Sequence, residues 1–280
     1  MTQAERTTAS TPPSPGEARS PSPVPAPSLR DRALIASCIV VITGLAWAYL
    51  IRLNRQMPSV EAESMMAAMG MVMNQPWGAG DLLLTFAMWA VMMVGMMAVP
   101  ALPVLLLFAG MRAQRVDRGL VPTVPSFGFG YLFVWVAFSA CATAAQWALH
   151  ERALLSSTMA TSSTLLAGLI LIAAGVYQLT PLKTGCLARC RSPLGFLMSS
   201  WRDGSSGAFQ MGFRHGIFCL GCCWALMAVL FVVGVMNLTW VGVLTVFILA
   251  EKLGPTGAHV SRAGGAILIA LGVVLVSGWA

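Results

Sequence analysis

Long runs of apolar residues, separated by short polar segments, dominate the chain after residue 32. A helix needs about 20 apolar residues to cross the hydrocarbon core of a bilayer. By this measure the pattern predicts seven spans, at residues 33–51, 81–109, 127–149, 165–181, 216–235, 238–250 and 264–279. The sixth run is short and follows the fifth closely, so it is either a hairpin partner or a re-entrant segment. The predicted fold class is all-α, a polytopic transmembrane helical bundle.

Composition and charge agree with this prediction. Hydrophobic residues make up 57% of the chain and charged residues only 10%, whereas soluble domains carry about 25% charged residues. Lys and Arg collect in the cytoplasmic segments of membrane proteins. With a cytoplasmic N-terminus, only Arg52, Arg55 and Arg152 of the 17 Lys and Arg residues face outward. The net charge of +7 is thus explained by topology, and we expect a multi-pass protein of the inner or plasma membrane with no nucleic-acid partner.

The polar segments divide the chain into regions. Residues 1–32 are rich in Pro and Ser and have no apolar periodicity, which is typical of a disordered tail. Residues 33–280 form the predicted transmembrane domain. It contains a Met-rich outer loop at residues 52–80 and a Cys-containing cytoplasmic loop at residues 182–215.

A cluster of thiols is the main candidate for chemistry. Residues three and four apart share a helix face, so the C-x-x-C-C motif and the histidine four residues before it are expected to converge. Cu(I) favours thiolate and thioether ligands, and Zn(II) favours four nitrogen or sulfur ligands. We also expect the two cysteines that follow the fourth span to meet this motif in space. The candidate metal ligands are Cys186, Cys190, His215, Cys219, Cys222 and Cys223.

Methionines form a second set of candidate ligands. Five lie in the second predicted span at helical spacing, namely Met88, Met92, Met93, Met96 and Met97. Five more crowd the outer loop, at Met65, Met66, Met69, Met71 and Met73. Thioethers bind Cu(I) without being deprotonated. The alternative for the stripe in the span is packing, because methionine fills gaps in apolar cores.

Charged groups near a bilayer are candidates for function. Glu251 and Lys252 end the sixth predicted span. We expect them to neutralise each other, or the lysine to extend to the membrane surface.

Several motifs together resemble a known family. They read YQLTPLK at 177–183, CLARCRSPLG at 186–195, GFRHG at 212–216, CLGCCW at 219–224, GVMNL at 234–238 and EK at 251–252, with the methionine stretch 88–97 and Pro100 before them. In this order and spacing they resemble a bacterial family of predicted metal-binding integral membrane proteins over roughly residues 80–275. Some members are regarded as membrane copper chaperones for tyrosinase-like polyphenol oxidases. The resemblance implies metal binding by the six Cys and His candidates with the second-span methionines, and a copper-dependent client.

The sequence leaves three hypotheses. The first is a Cu(I) chaperone or transporter that passes copper between methionine thioethers and the Cys/His cluster. The second is a membrane protein whose thiols cycle through disulfides, and the third is a structural membrane subunit with a zinc site. The chain has no Walker loop, dinucleotide fingerprint or Ser/His/Asp arrangement, so we do not expect an enzyme unless the thiols are redox-active.

Overall fold

A computed structural model of the chain describes residues 27–56, 77–115, 120–152, 161 and 163–278. Most of the predicted tail and the outer-loop methionines lie outside the described residues. Within them the fold is all-α. Its helices are α1 Leu29–Gln56, α2 Ala79–Arg115, α3 Leu120–Glu151, α4 Thr164–Leu179, α5 Pro181–Arg191, α6 Pro193–Ser200, α7 Gly204–Val233, α8 Leu238–Leu253 and α9 Gly257–Ser277.

Each predicted apolar run falls largely within a helix, but the predicted number of spans is not confirmed. Of the described helices, α1, α2, α3, α7 and α9 are long and apolar enough to cross a membrane, and the bent pair α4–α5 adds a sixth if it counts as one span. Helix α8 has 16 residues, which is about 24 Å at a rise of about 1.5 Å per residue. This is shorter than the hydrocarbon core of about 30 Å. It nevertheless returns the chain from the end of α7 to the level of Cys219, because Lys252 contacts that residue.

Two boundaries differ from those expected. Helix α1 begins at Leu29, four residues before the predicted span, because the Ser28 hydroxyl accepts a hydrogen bond from the Asp31 amide at 3.2 Å and caps the helix. The predicted loop at residues 182–215 is largely helical, since it contains most of α5, all of α6 and the first part of α7.

The chain bends by 62° between α4 and α5. Pro181 lacks an amide hydrogen and disfavours helical geometry in the residue before it, so α4 ends there. Thr180 is extended and its hydroxyl accepts a hydrogen bond from the Lys183 amide at 3.3 Å, which starts α5 immediately. The bend carries α5 against α7.

Helices α3 and α7 pack closely through glycine. A Cβ atom on Gly212 would clash with the carbonyl oxygen of Phe127, and one on Gly130 would clash with that of Phe209. Small residues of this kind let helix backbones approach in membrane bundles. The contact fixes the first part of α7 against the first part of α3.

Candidate metal centre

Three of the clustered cysteines lie on one side of α7, near the middle of that helix. Cys219, Cys222 and Cys223 are 2%, 1% and 1% exposed. The thiols of Cys222 and Cys223 both donate hydrogen bonds to the carbonyl oxygen of Cys219, at 3.0 and 2.9 Å. The C-x-x-C-C spacing therefore gathers three sulfur atoms in the protein interior.

The cysteines of α5 meet those of α7. The thiol of Cys222 lies 3.9 Å from the sulfur of Cys190, and no disulfide joins the described cysteines. Cys186 packs on the neighbouring turn of α7, where a Cβ on Gly221 would lie 2.9 Å from its sulfur. The structure thus brings the two predicted groups together. We use the name thiol cluster for Cys190, Cys219, Cys222 and Cys223.

Two residues that the sequence analysis does not place beside the cysteines, Tyr131 and Lys252, complete the surroundings of Cys219. The hydroxyl of Tyr131 donates a hydrogen bond to the carbonyl oxygen of Met97 at 2.9 Å and lies 3.0 Å from the sulfur of Cys219. The ammonium group of Lys252 lies 2.9 Å from the sulfur of Cys219, 3.8 Å from that of Cys223 and 3.7 Å from that of Met97. For Lys252 the sequence contains one indication of this position: it is a charged residue at the end of an apolar run too short to carry it to a membrane surface.

The expected pairing of Glu251 with Lys252 is wrong. The carboxylate of Glu251 pairs instead with Lys183 of α5 at 2.6 Å, and both side chains are almost fully buried. Gln178 donates a second bond to the same carboxylate oxygen at 3.4 Å, and Arg191 donates to the Glu251 carbonyl oxygen at 2.7 Å. Because adjacent residues of a helix point in different directions, Lys252 is left facing the sulfur atoms. It is 7% exposed, so it does not extend to a surface.

His215 is buried one helical turn before Cys219, as its spacing predicts. Its ring lies among aromatic side chains, with centroid separations of 5.4 Å to Phe196 and 6.0 Å to Tyr131. Within the described part of the chain, its Nδ1 atom has no hydrogen-bond partner. Buried polar groups are rarely left without a partner. An imidazole nitrogen that carries no proton is a potential metal ligand.

The methionine stripe of α2 is buried in the core. Exposed fractions are between 0% and 5% for Met88, Met92, Met93, Met96 and Met97. All five belong to the main hydrophobic cluster, which is the packing role that methionine commonly has. Met97 also contacts the ammonium group beside the thiol cluster. The structure therefore connects one end of the stripe to the cysteines.

The ligands do not form a closed coordination shell in this conformation. Among the described residues, no three or more Cys, His, Asp or Glu side chains are arranged to hold a metal ion. In this conformation the thiols of Cys222 and Cys223 are turned to a backbone carbonyl group. Metal binding would require these side chains to rotate. The residues present are mostly sulfur donors, which suit a soft ion such as Cu(I) better than a hard one.

Fold and site together define a class: an all-α protein with several helices apolar enough for a membrane and a buried cluster of cysteine thiols. A family model described as "PpoB2: Copper chaperone" matches residues 86–275. The chain therefore belongs to this copper chaperone family. The match includes the α2 methionines, α5, α7 and α8. Neither the curated proteins nor the solved structures contain a match to this chain.

Proposed function

We propose that this chain is a membrane-embedded copper chaperone that holds Cu(I) on the thiol cluster, with Met97 and His215 as further ligands. The observation that carries the proposal is the meeting of cysteines from α5 and α7 in the core, 3.9 Å apart, next to a methionine of α2. Membership in a copper chaperone family supports copper as the cargo. A chaperone holds and transfers its metal, so we propose no catalytic role.

The chemistry of the cluster favours Cu(I) over a harder ion. Cu(I) is a soft ion that accepts thiolate and thioether ligands, and these are the donors that surround Lys252. The cysteines of α7 are almost inaccessible to water, which would protect bound Cu(I) from oxidation. Zn(II) remains the alternative, as the metal of a structural site built on the same thiols.

We propose that copper reaches the cluster along the methionine stripe of α2. The outer-loop methionines at residues 65–73 are the proposed entry ligands. Exchange from thioether to thiolate replaces one soft sulfur donor by another, so each ligand along the route suits Cu(I). Cys186, next to the cluster on α5, is a proposed ligand on the exit side.

The proposed setting is the inner or plasma membrane with a cytoplasmic N-terminus. The proposed client is a copper-dependent enzyme such as a polyphenol oxidase. Delivery can be measured by mixing the copper-loaded protein with the metal-free client under argon. A gain of oxidase activity that exceeds the gain from an equal amount of chelated copper would support direct transfer.

The first test is an anaerobic Cu(I) titration of the detergent-purified full chain against a colorimetric Cu(I) chelator. The test variant carries Cys219→Ser, Cys222→Ser and Cys223→Ser. Its matched control carries Cys38→Ser and Cys141→Ser, because these two cysteines are exposed and lie outside the cluster. We expect the triple variant to lose tight binding and the control to keep it.

Parallel measurements separate copper from the alternatives. Met97→Leu should weaken Cu(I) binding, and Met88→Leu, at the other end of the stripe, should weaken it less. Tight zinc binding that depends on the cysteines, without tight Cu(I) binding, would replace the proposal by a structural zinc site. Equal Cu(I) affinity in the triple variant and its control would remove the thiol cluster from the function.

The short distance between Cys190 and Cys222 also favours a second candidate, a thiol redox protein. Oxidation would join the two sulfur atoms in a disulfide, with two protons released and two electrons passed to an oxidant such as a quinone. The family match does not support this role. Mass spectrometry after incubation with a quinone would detect the disulfide, and reversible formation without any copper binding would favour the redox function.

A further inference from the structure

The ammonium group of Lys252 is surrounded by the sulfur atoms that the proposed function assigns to copper. It lies within 4 Å of the sulfur atoms of Cys219, Cys223 and Met97, which come from α7 and α2. The lysine itself comes from α8. Side chains from three helices therefore meet in the protein interior, and the positive charge there is the ammonium group of Lys252.

Among the residues that the structure describes, no carboxylate pairs with Lys252. Glu251, the residue before it, is already paired with Lys183 at 2.6 Å. A buried ammonium group must have its hydrogen bonds satisfied, and here the acceptors are sulfur atoms. The contacts of Lys252 are thus those that a bound soft monovalent cation would make, at longer distances than a metal–sulfur bond of about 2.3 Å.

We propose that Lys252 is a specificity-determining residue that makes the site select monovalent over divalent metal ions. The inference rests on the proposed function and identifies what sets the choice of metal at that site. Cu(I) takes the position of the ammonium group between the sulfur atoms. The displaced ammonium group remains tethered next to the metal by its own side chain.

The selection follows from the charges. A fixed positive charge repels a divalent ion twice as strongly as a monovalent ion at the same distance. The difference equals one unit-charge interaction, which at about 4 Å in a protein interior corresponds to up to about a thousandfold in an equilibrium constant. Relaxation of the flexible side chain reduces this effect, so we expect a change of at least about tenfold.

The test compares Ag(I), a soft monovalent ion that is not oxidised by air, with Zn(II). Both affinities are measured by competition with chelators on the detergent-purified full chain. The variants are Lys252→Gln and Lys252→Leu, which remove the charge, and Lys252→Arg, which keeps it. Arg262→Gln is the matched control, because it removes one positive charge from an exposed position on α9.

We expect the ratio of Zn(II) to Ag(I) affinity to rise at least about tenfold in the two neutral variants. The same ratio should stay close to that of the unmodified protein in Lys252→Arg and in the control. The ratio is informative because a purely structural lysine would change both affinities in parallel.

Several results would overturn the inference. An unchanged ratio in the neutral variants would do so while leaving the proposed function intact. Failure of both neutral variants to fold would also overturn it, since the lysine would then build the fold rather than tune the site. Absence of tight Ag(I) and Cu(I) binding in the unmodified protein would overturn the proposed function together with the inference.

Discussion

The buried ion pair between Lys183 and Glu251 offers a quantitative test of the fold around the site. The two groups are 2.6 Å apart and their side chains are 0% and 1% exposed. At an effective dielectric constant of about 20, their attraction is about 6 kcal/mol. Removing each charge from water opposes this by several kcal/mol. The pair as a whole is therefore worth little, but either charge alone in this position is unfavourable.

Replacing only the lysine should destabilise the protein strongly. In Lys183→Met, the carboxylate of Glu251 loses its ion pair and keeps the weaker bond from the uncharged Gln178 at 3.4 Å. We expect the free energy of unfolding to fall by about 3–5 kcal/mol, the usual effect of leaving one buried charge unpaired. The double variant Lys183→Met with Glu251→Met removes both charges and should recover to within about 1–2 kcal/mol of the unmodified protein.

The assay is unfolding in mixed detergent micelles, followed by tryptophan fluorescence. Asp203→Asn provides the control, because Asp203 pairs with Arg112 at 3.5 Å and its side chain is 78% exposed. Loss of such an exposed pair should change the free energy by no more than about 1 kcal/mol. The reasoning fails if Lys183→Met behaves like the control, or if the double variant is as unstable as the single one.

Two further substitutions test the helix packing and the surroundings of the thiols. Gly212→Ala places a Cβ against the backbone of α3 and should lower the free energy of unfolding by about 1–3 kcal/mol. Gly128→Ala has open space around it and should not destabilise; equal melting temperatures for the two would contradict the close approach. Tyr131→Phe removes the bond to the Met97 carbonyl and the contact with Cys219, so it should reduce stability by about 1 kcal/mol. Unchanged thermal unfolding of this variant would show that the hydroxyl group contributes nothing.

Sequence patterns predict the helices of this protein well where the chain is apolar. Every predicted apolar run lies largely in a helix, because burial of apolar side chains is the signal that both the prediction and the fold depend on. Helices α5 and α6 are not predicted as separate helices, α6 because its 8 residues are too few for a span. Helix α5 carries Lys183, Arg189 and Arg191, so a search for apolar runs passes over it. Its start at Thr180 and Pro181 is readable only from capping chemistry.

The candidate site was also predictable from the sequence only in part. The shared face of Cys219, Cys222 and Cys223 follows from helix geometry alone, and the structure gathers them as expected. The position of Lys252 does not follow from local sequence, because it depends on how far α8 returns along α7. The length of α8 and the pairing of Glu251 with α5 decide that register. Such long-range contacts are not encoded in the spacing of residues within one helix.

The arrangement of the thiols bears on how a chaperone releases its cargo. Two cysteine thiols donate to a backbone carbonyl group, and the sulfur of Cys219 accepts from an ammonium group at 2.9 Å. If the thiol cluster holds copper as proposed, the ion displaces these bonds, each worth about 0.5–1.5 kcal/mol. The same bonds re-form when copper leaves, so they lower the affinity below that of free thiolates. We therefore expect binding that is tight enough to exclude free copper and weak enough to pass the ion to a client with unsatisfied ligands.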